Sequence, residues 1–489
     1  MPKPGSLRTV ATQGLLVILA AKIVSIVLAQ AAAILLPLWL DPVQFGILGI
    51  VYAFVGAIGL ASDFGLSTDL IRRSDDLNVA YETAFSIRTG LGFALLLAAI
   101  PAAYLAVVVY QDSRLFLATV LYAVTIPLAA FSLIPRVKAT KALDFPRAVL
   151  PDQVGKAVVS GVSITLVALG FGYFGPIFGG ILGTIVGSIL FYKVVPWKPG
   201  WRLDPKMARS LVDFSKFVVV ASFLAFAVSS LDKLLIGFLL GLTSLGYYLV
   251  AFSWAIGLPT SVAAVVSGVA YPIYGRVGPD SPDRLRRAYA ETTRLFAYVG
   301  FFVSFGVVAL AEPFVGVVLG ARWQPTVLPM RILAFAGLLV GIAGLSNDLL
   351  NALGKSALVA EVQLIALIVI AAGLYFGTTM MGLPGASIAV VVTFGALAGV
   401  SRYLARRELK PTAGLAWRKA FIPPSVAGAA SLGTSFLLGT FLPIGLPGLI
   451  FQFFGYAGTY FAAMEILTNG SFLAELKGVG RLAIGRTRS

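Results

Sequence analysis

The sequence predicts an all-α integral membrane protein with about 14 transmembrane helices: two pseudo-symmetric six-helix lobes around a central cleft, plus two extra C-terminal helices. Three observations predict it. The chain of 489 residues is 58% hydrophobic, with a mean hydropathy of +0.94, and its apolar residues fall in runs long enough to cross a bilayer. Its basic residues sit almost entirely in every second connector between those runs. A segment near residue 40 recurs near residue 240.

A hydrocarbon core about 30 Å thick needs roughly 20 apolar residues in a helix. The runs fall at 14–38, 45–61, 83–109, 115–134, 149–171, 176–195, 214–240, 245–271, 292–319, 327–350, 357–377, 383–402, 421–442 and 446–467. The first is too long for the core of a signal peptide and has no small-residue cleavage site after a short core, so it is expected to be a retained helix. Helices 1–6 make an N-lobe over 1–207 and helices 7–12 a C-lobe over 208–410. Residues 411–489 hold the last pair and a basic tail.

With the N-terminus placed in the cytoplasm, and with Lys193 and Arg402 at the ends of their runs counted with the connectors that follow, 28 of the 37 Lys and Arg lie in the N-terminal segment, the even-numbered connectors and the C-terminal tail. The opposite connectors carry Arg114 and Arg322 alone. The positive-inside rule then places both termini in the cytoplasm of an inner-membrane protein. The formal charge of +16 is thus explained by a membrane and not by nucleic acid. With neither Cys nor His in the chain, thiolate or imidazole metal sites and disulfides are excluded. No connector is large enough to hold a catalytic domain, so no cofactor or metal is expected.

The repeat aligns LDPVQFGILGIVYAF, from Leu40, with LGLTSLGYYLVAFSW, from Leu240, at an offset of 200 residues. Arg88 in the third helix and Arg294 in the ninth follow at an offset of 206. Each repeat holds an even number of helices, so the halves are expected to be parallel repeats about an axis normal to the membrane.

Seven basic residues fall inside the apolar runs: Lys22, Arg88, Lys156, Lys216, Lys233, Arg294 and Arg331. Each costs about 2.5–3.5 kcal/mol on insertion scales when placed at mid-helix, and such residues face a cavity or a partner. In the first helix Lys22, Ser25, Ala29 and Ala33 share a stripe with Gln30 beside it. In the seventh, Ser215, Ser222, Ser229 and Lys233 share a face adjoining Asp232. Both stripes are expected to line the shared cleft. For Arg88, Lys156, Lys216 and Arg294, snorkelling to headgroups is the competing reading. Arg331 is read either as a receiver of the head group on the outward side or as an interface anchor.

The segments ASDFGLSTDLIRR (61–73), LDKLLIGFLLGLTSLGYYLVAFSWAIGLP (231–259) and LGARWQPTVLPMRILAF (319–335) resemble the polysaccharide transporter branch of the multidrug/oligosaccharidyl-lipid/polysaccharide exporter superfamily, which holds the Wzx-type flippases. The resemblance implies that the chain carries an undecaprenyl-diphosphate-linked oligosaccharide from the inner to the outer leaflet by alternating access. A polysaccharide polymerase and export machinery are the implied partners. The basic residues of the helices suit a diphosphate. Asp63, Arg72 and Arg73 of the first motif are read as a loop clamp or a gate, and Asp232 of the second as a gating or ion-coupling residue. The coupling ion, proton or sodium, is open at this stage. Other readings are a peptidoglycan-precursor flippase or drug exporter of the same superfamily, and a membrane-embedded glycan polymerase.

Overall fold

In water-free hydrocarbon every backbone N–H and C=O must be satisfied within its own segment, so apolar runs of this length become helices. The computed structural model describes residues 4–63, 65–73, 75–142, 144–278, 281–409, 414–443 and 445–475. Within these helices the side chains of 4–19, 63, 212–225, 229, 414–417 and 419 are outside the described set. Among the described residues there is no strand.

The helices run α1 (Pro4–Trp39), α2 (Pro42–Asp63), α3 (Leu66–Arg72), α4 (Leu77–Tyr110), α5 (Arg114–Ala123), α6 (Thr125–Ala130), α7 (Leu133–Lys141), α8 (Phe145–Ala168) and α9 (Phe174–Val194). They continue as α10 (Pro205–Ala255), α11 (Gly257–Val277), α12 (Pro282–Phe314), α13 (Val327–Ala352), α14 (Ser356–Leu409), α15 (Gly414–Phe441) and α16 (Leu446–Leu467). A π-helical turn and a 3-10 turn join α12 to α13. Among the described residues, nine helical stretches are long and apolar enough to cross a membrane, or ten if the bent pair Arg114–Ala130 and Leu133–Lys141 is one span. The protein is therefore an all-helical, multi-pass membrane protein.

Two helices, α10 at 51 residues and α14 at 54, are long enough to cross a bilayer twice. Ser356–Leu409, at 54 residues, would be about 80 Å long if straight. It breaks at Gly382 (φ 62, ψ −138), and α10 breaks likewise at Gly241 (φ 81, ψ 170). Both breaks fall in the connectors expected from the sequence between 240 and 245 and between 377 and 383. A backbone of this kind is essentially confined to Gly. A Cβ on Gly382 would meet nothing within 4 Å, so substitution there tests backbone conformation alone. Gly382→Ala is expected to cost about 1–3 kcal/mol, read as a lower thermal midpoint in detergent. Gly433→Ala, in α15 with equally open surroundings, should cause no loss.

The chain divides into two compact units, Met1–Gly246 and Tyr247–Ser489. Where the sequence reading cuts at residue 207, packing groups the first part of α10 with the first unit. In that unit α8 packs on both α1 and α9. Gly175, Gly179, Gly183 and Gly187 form an i, i+4 stripe on α9, and a Cβ on Gly155 of α8 would lie 2.9 Å from the Gly183 carbonyl oxygen. The start of α2 meets the second half of α10 reciprocally: Gly46 lies against the Leu242 carbonyl and Gly246 against the Pro42 carbonyl. A second core, around Phe85, Tyr81 and Leu133, joins α3, α4, α7 and the start of α10. In the second unit Phe296, Tyr274, Leu345 and Leu397 anchor a core of α11–α14. The hydroxyls of Tyr456 and Tyr460 in α16 donate to the Phe302 and Tyr298 carbonyls of α12, at 2.5 and 2.7 Å.

Candidate functional site

A charged side chain on a membrane helix persists where neighbouring elements satisfy it. Lys22 is half-buried on α1, one turn before the buried Ser25. The Ser25 hydroxyl lies 2.7 Å from Gln153 Oε1 on α8 and 2.9 Å from the Lys22 carbonyl, one proton facing two acceptors. Gln30, farther along α1, has a buried amide oxygen with no hydrogen-bond partner. On α8, Asp152 adjoins Gln153 and forms a 2.5 Å ion pair with Arg136 of α7, whose guanidinium stands 5.2 Å over the Phe191 ring. Lys156, one turn beyond Asp152, is exposed. The first stripe thus meets α8 through Ser25. Arg88 is half-buried on α4.

In α10 the Lys233 ammonium lies 3.4 Å from the Asp232 carboxylate, which is only 3% exposed. The side chains of Lys216, Ser222 and Ser229 lie outside the described residues, and so does that of Asp63.

In the first motif Arg73 makes an ion pair with Asp69, an acid the sequence reading did not single out. Gly65 (φ 66) turns the chain into α3, and Arg73 just past its end bonds Asp69 Oδ2 at 3.1 Å and the Ser210 hydroxyl of α10 at 2.8 Å. Lys141 of α7 donates to the Leu70 and Arg73 carbonyls, satisfying the open end of α3. Arg72 is exposed.

In the second unit Arg294 of α12 pairs at 3.3 Å with Glu475, beyond α16. Arg331 of α13 pairs at 3.0 Å with Glu312 of α12, reaches the Val308 carbonyl at 3.3 Å and lies 5.8 Å over the Phe436 ring of α15. Both arginines thus hold acidic partners within their own unit. An apolar cavity of about 360 Å³ is walled by Trp254 and Leu258, Phe302 and Phe314 of α12, and Phe453 and Tyr456 of α16. A polar layer unread in the sequence runs through α11–α13: Tyr274 to Thr292, and Tyr289 to Ser346 at 2.8 Å. In the connector between α4 and α5, the Arg114 side chain at the start of α5 holds the Asp112 carboxyl below the usual carboxylate range by a hydrogen bond, so one of the two basic exceptions to the charge rule is paired.

Gln153, Asp69, Ser210 and Glu475 were missed by sequence reasoning. Asp69 alone had a local signal, since it stands four residues before Arg73. The others pair across 128, 137 and 181 residues.

No metal-holding group of three or more acidic, His or Cys side chains occurs among the described residues. What fold and site define is an all-helical multi-pass membrane protein with paired and half-buried cations inside its apolar helices. Residues 35–328 match the family described as polysaccharide biosynthesis protein, well over half the chain, and the chain belongs to that family. It is similar to an uncharacterized membrane protein in the cps region of Klebsiella pneumoniae, 23% identical over 93% of this chain and 94% of that one. It is also similar to the lipopolysaccharide biosynthesis protein WzxC of Escherichia coli (strain K12), 22% identical over 64% of each chain, just under two thirds of that protein's length. Among solved structures, the lipid II flippase MurJ in an inward closed conformation superposes with a TM-score of 0.76, covering 93% of this chain and 99% of that one at 13% identity. The fold is therefore MurJ-like.

Proposed function

We propose that this chain is a flippase, a transporter and not an enzyme, that moves an undecaprenyl-diphosphate-linked oligosaccharide repeat unit from the cytoplasmic to the outer leaflet for surface polysaccharide synthesis. The observation that carries the reading is the half-buried Lys22 in the middle of α1, one turn from Ser25, whose hydroxyl contacts Gln153 of α8. A substrate with a diphosphate, a polar sugar and a long hydrocarbon chain needs cationic donors for its head and apolar surface for its tail. Lys22, Arg88, Lys156, Lys216 and Lys233 receive the diphosphate, with Ser25, Gln30, Ser222 and Ser229 lining its route. Arg294 and Arg331 reach it only by exchanging Glu475 and Glu312 for phosphate. Asp232 gates the route or couples it to proton or sodium entry, and the Asp69–Arg73 clamp steadies the helix ends as the chain changes state. In this reading fourteen helices cross the inner membrane, both termini are cytoplasmic, and a polysaccharide polymerase takes the product.

The family's description, WzxC's part in lipopolysaccharide biosynthesis and MurJ's handling of lipid II support the reading. The test is a deletion strain assayed for surface glycan and for lipid-linked oligosaccharide on the cytoplasmic face. Accumulation of that intermediate with loss of surface glycan is expected. If both were unchanged the flippase reading would fail, and if lipid II accumulated instead the substrate would be the peptidoglycan precursor.

A further inference from the structure

We propose that the groove between α6 and α9 binds one anionic phospholipid of the leaflet that meets the C-terminal end of α9. The groove has a volume of about 450 Å³, within the range of roughly 300–1,000 Å³ typical of ligand sites. Its wall is apolar, made by Leu128 and Phe131 on one side and Ile185 and Ile189 on the other. Ile189 is 52% exposed, so the groove is open along this side and not sealed by the protein. The Ser188 hydroxyl already bonds the Leu128 carbonyl at 3.3 Å and closes the floor.

Polarity is confined to one end. Tyr192 contributes a hydroxyl that is buried with no hydrogen-bond partner, and Lys193 contributes an exposed ammonium. A buried hydroxyl is rarely left unsatisfied, so this one points to a ligand acceptor. Trp197 stacks 6.4 Å from Tyr192, and the exposed Lys198, Trp201 and Arg202 follow. Aromatic rings with Lys and Arg at a helix end mark the headgroup level of a membrane. Arg136 also lies at this end of α9 but is committed to Asp152, and the carboxylate of Glu82 lies against Gly200. An acyl chain in the groove, its ester or phosphate oxygen accepting from Tyr192 and its phosphate paired with Lys193, answers each of these features. The occupant is a phospholipid and not the carrier lipid, because a volume of about 450 Å³ is on the scale of one acyl chain and a polyprenyl chain of the carrier overfills it.

The test is native mass spectrometry of the full chain released from nanodiscs of phosphatidylglycerol or phosphatidylcholine. Wild type is expected to retain one phosphatidylglycerol in preference to phosphatidylcholine. Lys193→Gln should weaken phosphatidylglycerol retention about five-fold, one interfacial charge's worth. Because Lys193 is exposed, its replacement leaves the fold intact. Ile189→Trp, which fills the groove, should abolish retention of either lipid. Equal retention of the two lipids by wild type, retention by Lys193→Gln equal to wild type, or displacement of the phospholipid by polyprenyl phosphate would each overturn the assignment. None of these readouts depends on transport.

Discussion

Lys22→Ala is expected to lower transport of the lipid-linked glycan by about ten-fold or more while the protein inserts at its normal level. Removing a cation from mid-helix makes insertion easier, not harder, because Lys is among the costliest residues at the centre of a membrane helix. A lower yield of inserted protein is therefore not the expected cause of a defect. A charge-assisted hydrogen bond contributes about 1.5–3 kcal/mol, and each 1.4 kcal/mol is ten-fold in binding. Lys22→Arg keeps the charge and should keep most of the transport. Ser25→Ala separates position from charge: it removes the 2.7 Å contact to Gln153 and should cost about 0.5–1.5 kcal/mol of stability. Its transport per folded molecule should fall less than that of Lys22→Ala, because a route-lining hydroxyl is lost and the charge is kept. The measurement is surface glycan per unit of membrane-inserted protein in a complemented deletion strain, and equal values for Lys22→Ala and wild type would refute the role.

The helices were legible in the sequence because hydropathy reports them one at a time. Each span satisfies its own backbone, so its existence requires no knowledge of a neighbour. The breaks inside a run were not legible, because hydropathy continues across them. The run 115–134 is divided among α5, α6 and α7 with a 43° bend after Ala130. The run 245–271 breaks between α10 and α11. The short α3 was not expected, since its seven residues are too few to carry a hydropathy signal.

The site was legible as charges and not as pairs. Position in an apolar run singles out Lys22, Arg294 and Arg331, because the cost of burying a cation is local. What each cation touches depends on which helices pack. Arg294 finds Glu475 in a tail that the sequence presents only as basic, and Arg331 finds Glu312 from the neighbouring helix. In the first motif the reading named Asp63, whose side chain lies outside the described set, and the described ion pair is made by Asp69, one helical turn before Arg73.

The other large expected effect concerns the repeat itself. Gly46→Ala and Gly246→Ala should each destabilise the protein by about 1–3 kcal/mol, more than surface Gly→Ala changes, and Gly246→Val more still. At both positions a Cβ would run into a backbone carbonyl, that of Leu242 for Gly46 and that of Pro42 for Gly246. A flexible side chain could move aside, but a carbonyl at a helix start moves only with its helix. Positions 42 and 46 are the repeat counterparts of 242 and 246 at the offset of 200 residues. The contact is thus reciprocal, each of the two helix starts in this unit presenting the same two positions to the other. Reciprocity has a measurable consequence. Once one Ala has separated the helix starts, the second meets less resistance, so the double substitution should cost less than the sum of the singles. Thermal midpoints of the two single variants and the double in one detergent decide it. Unchanged midpoints for both singles would remove the close approach, and strict additivity would show that the two glycines act at independent sites.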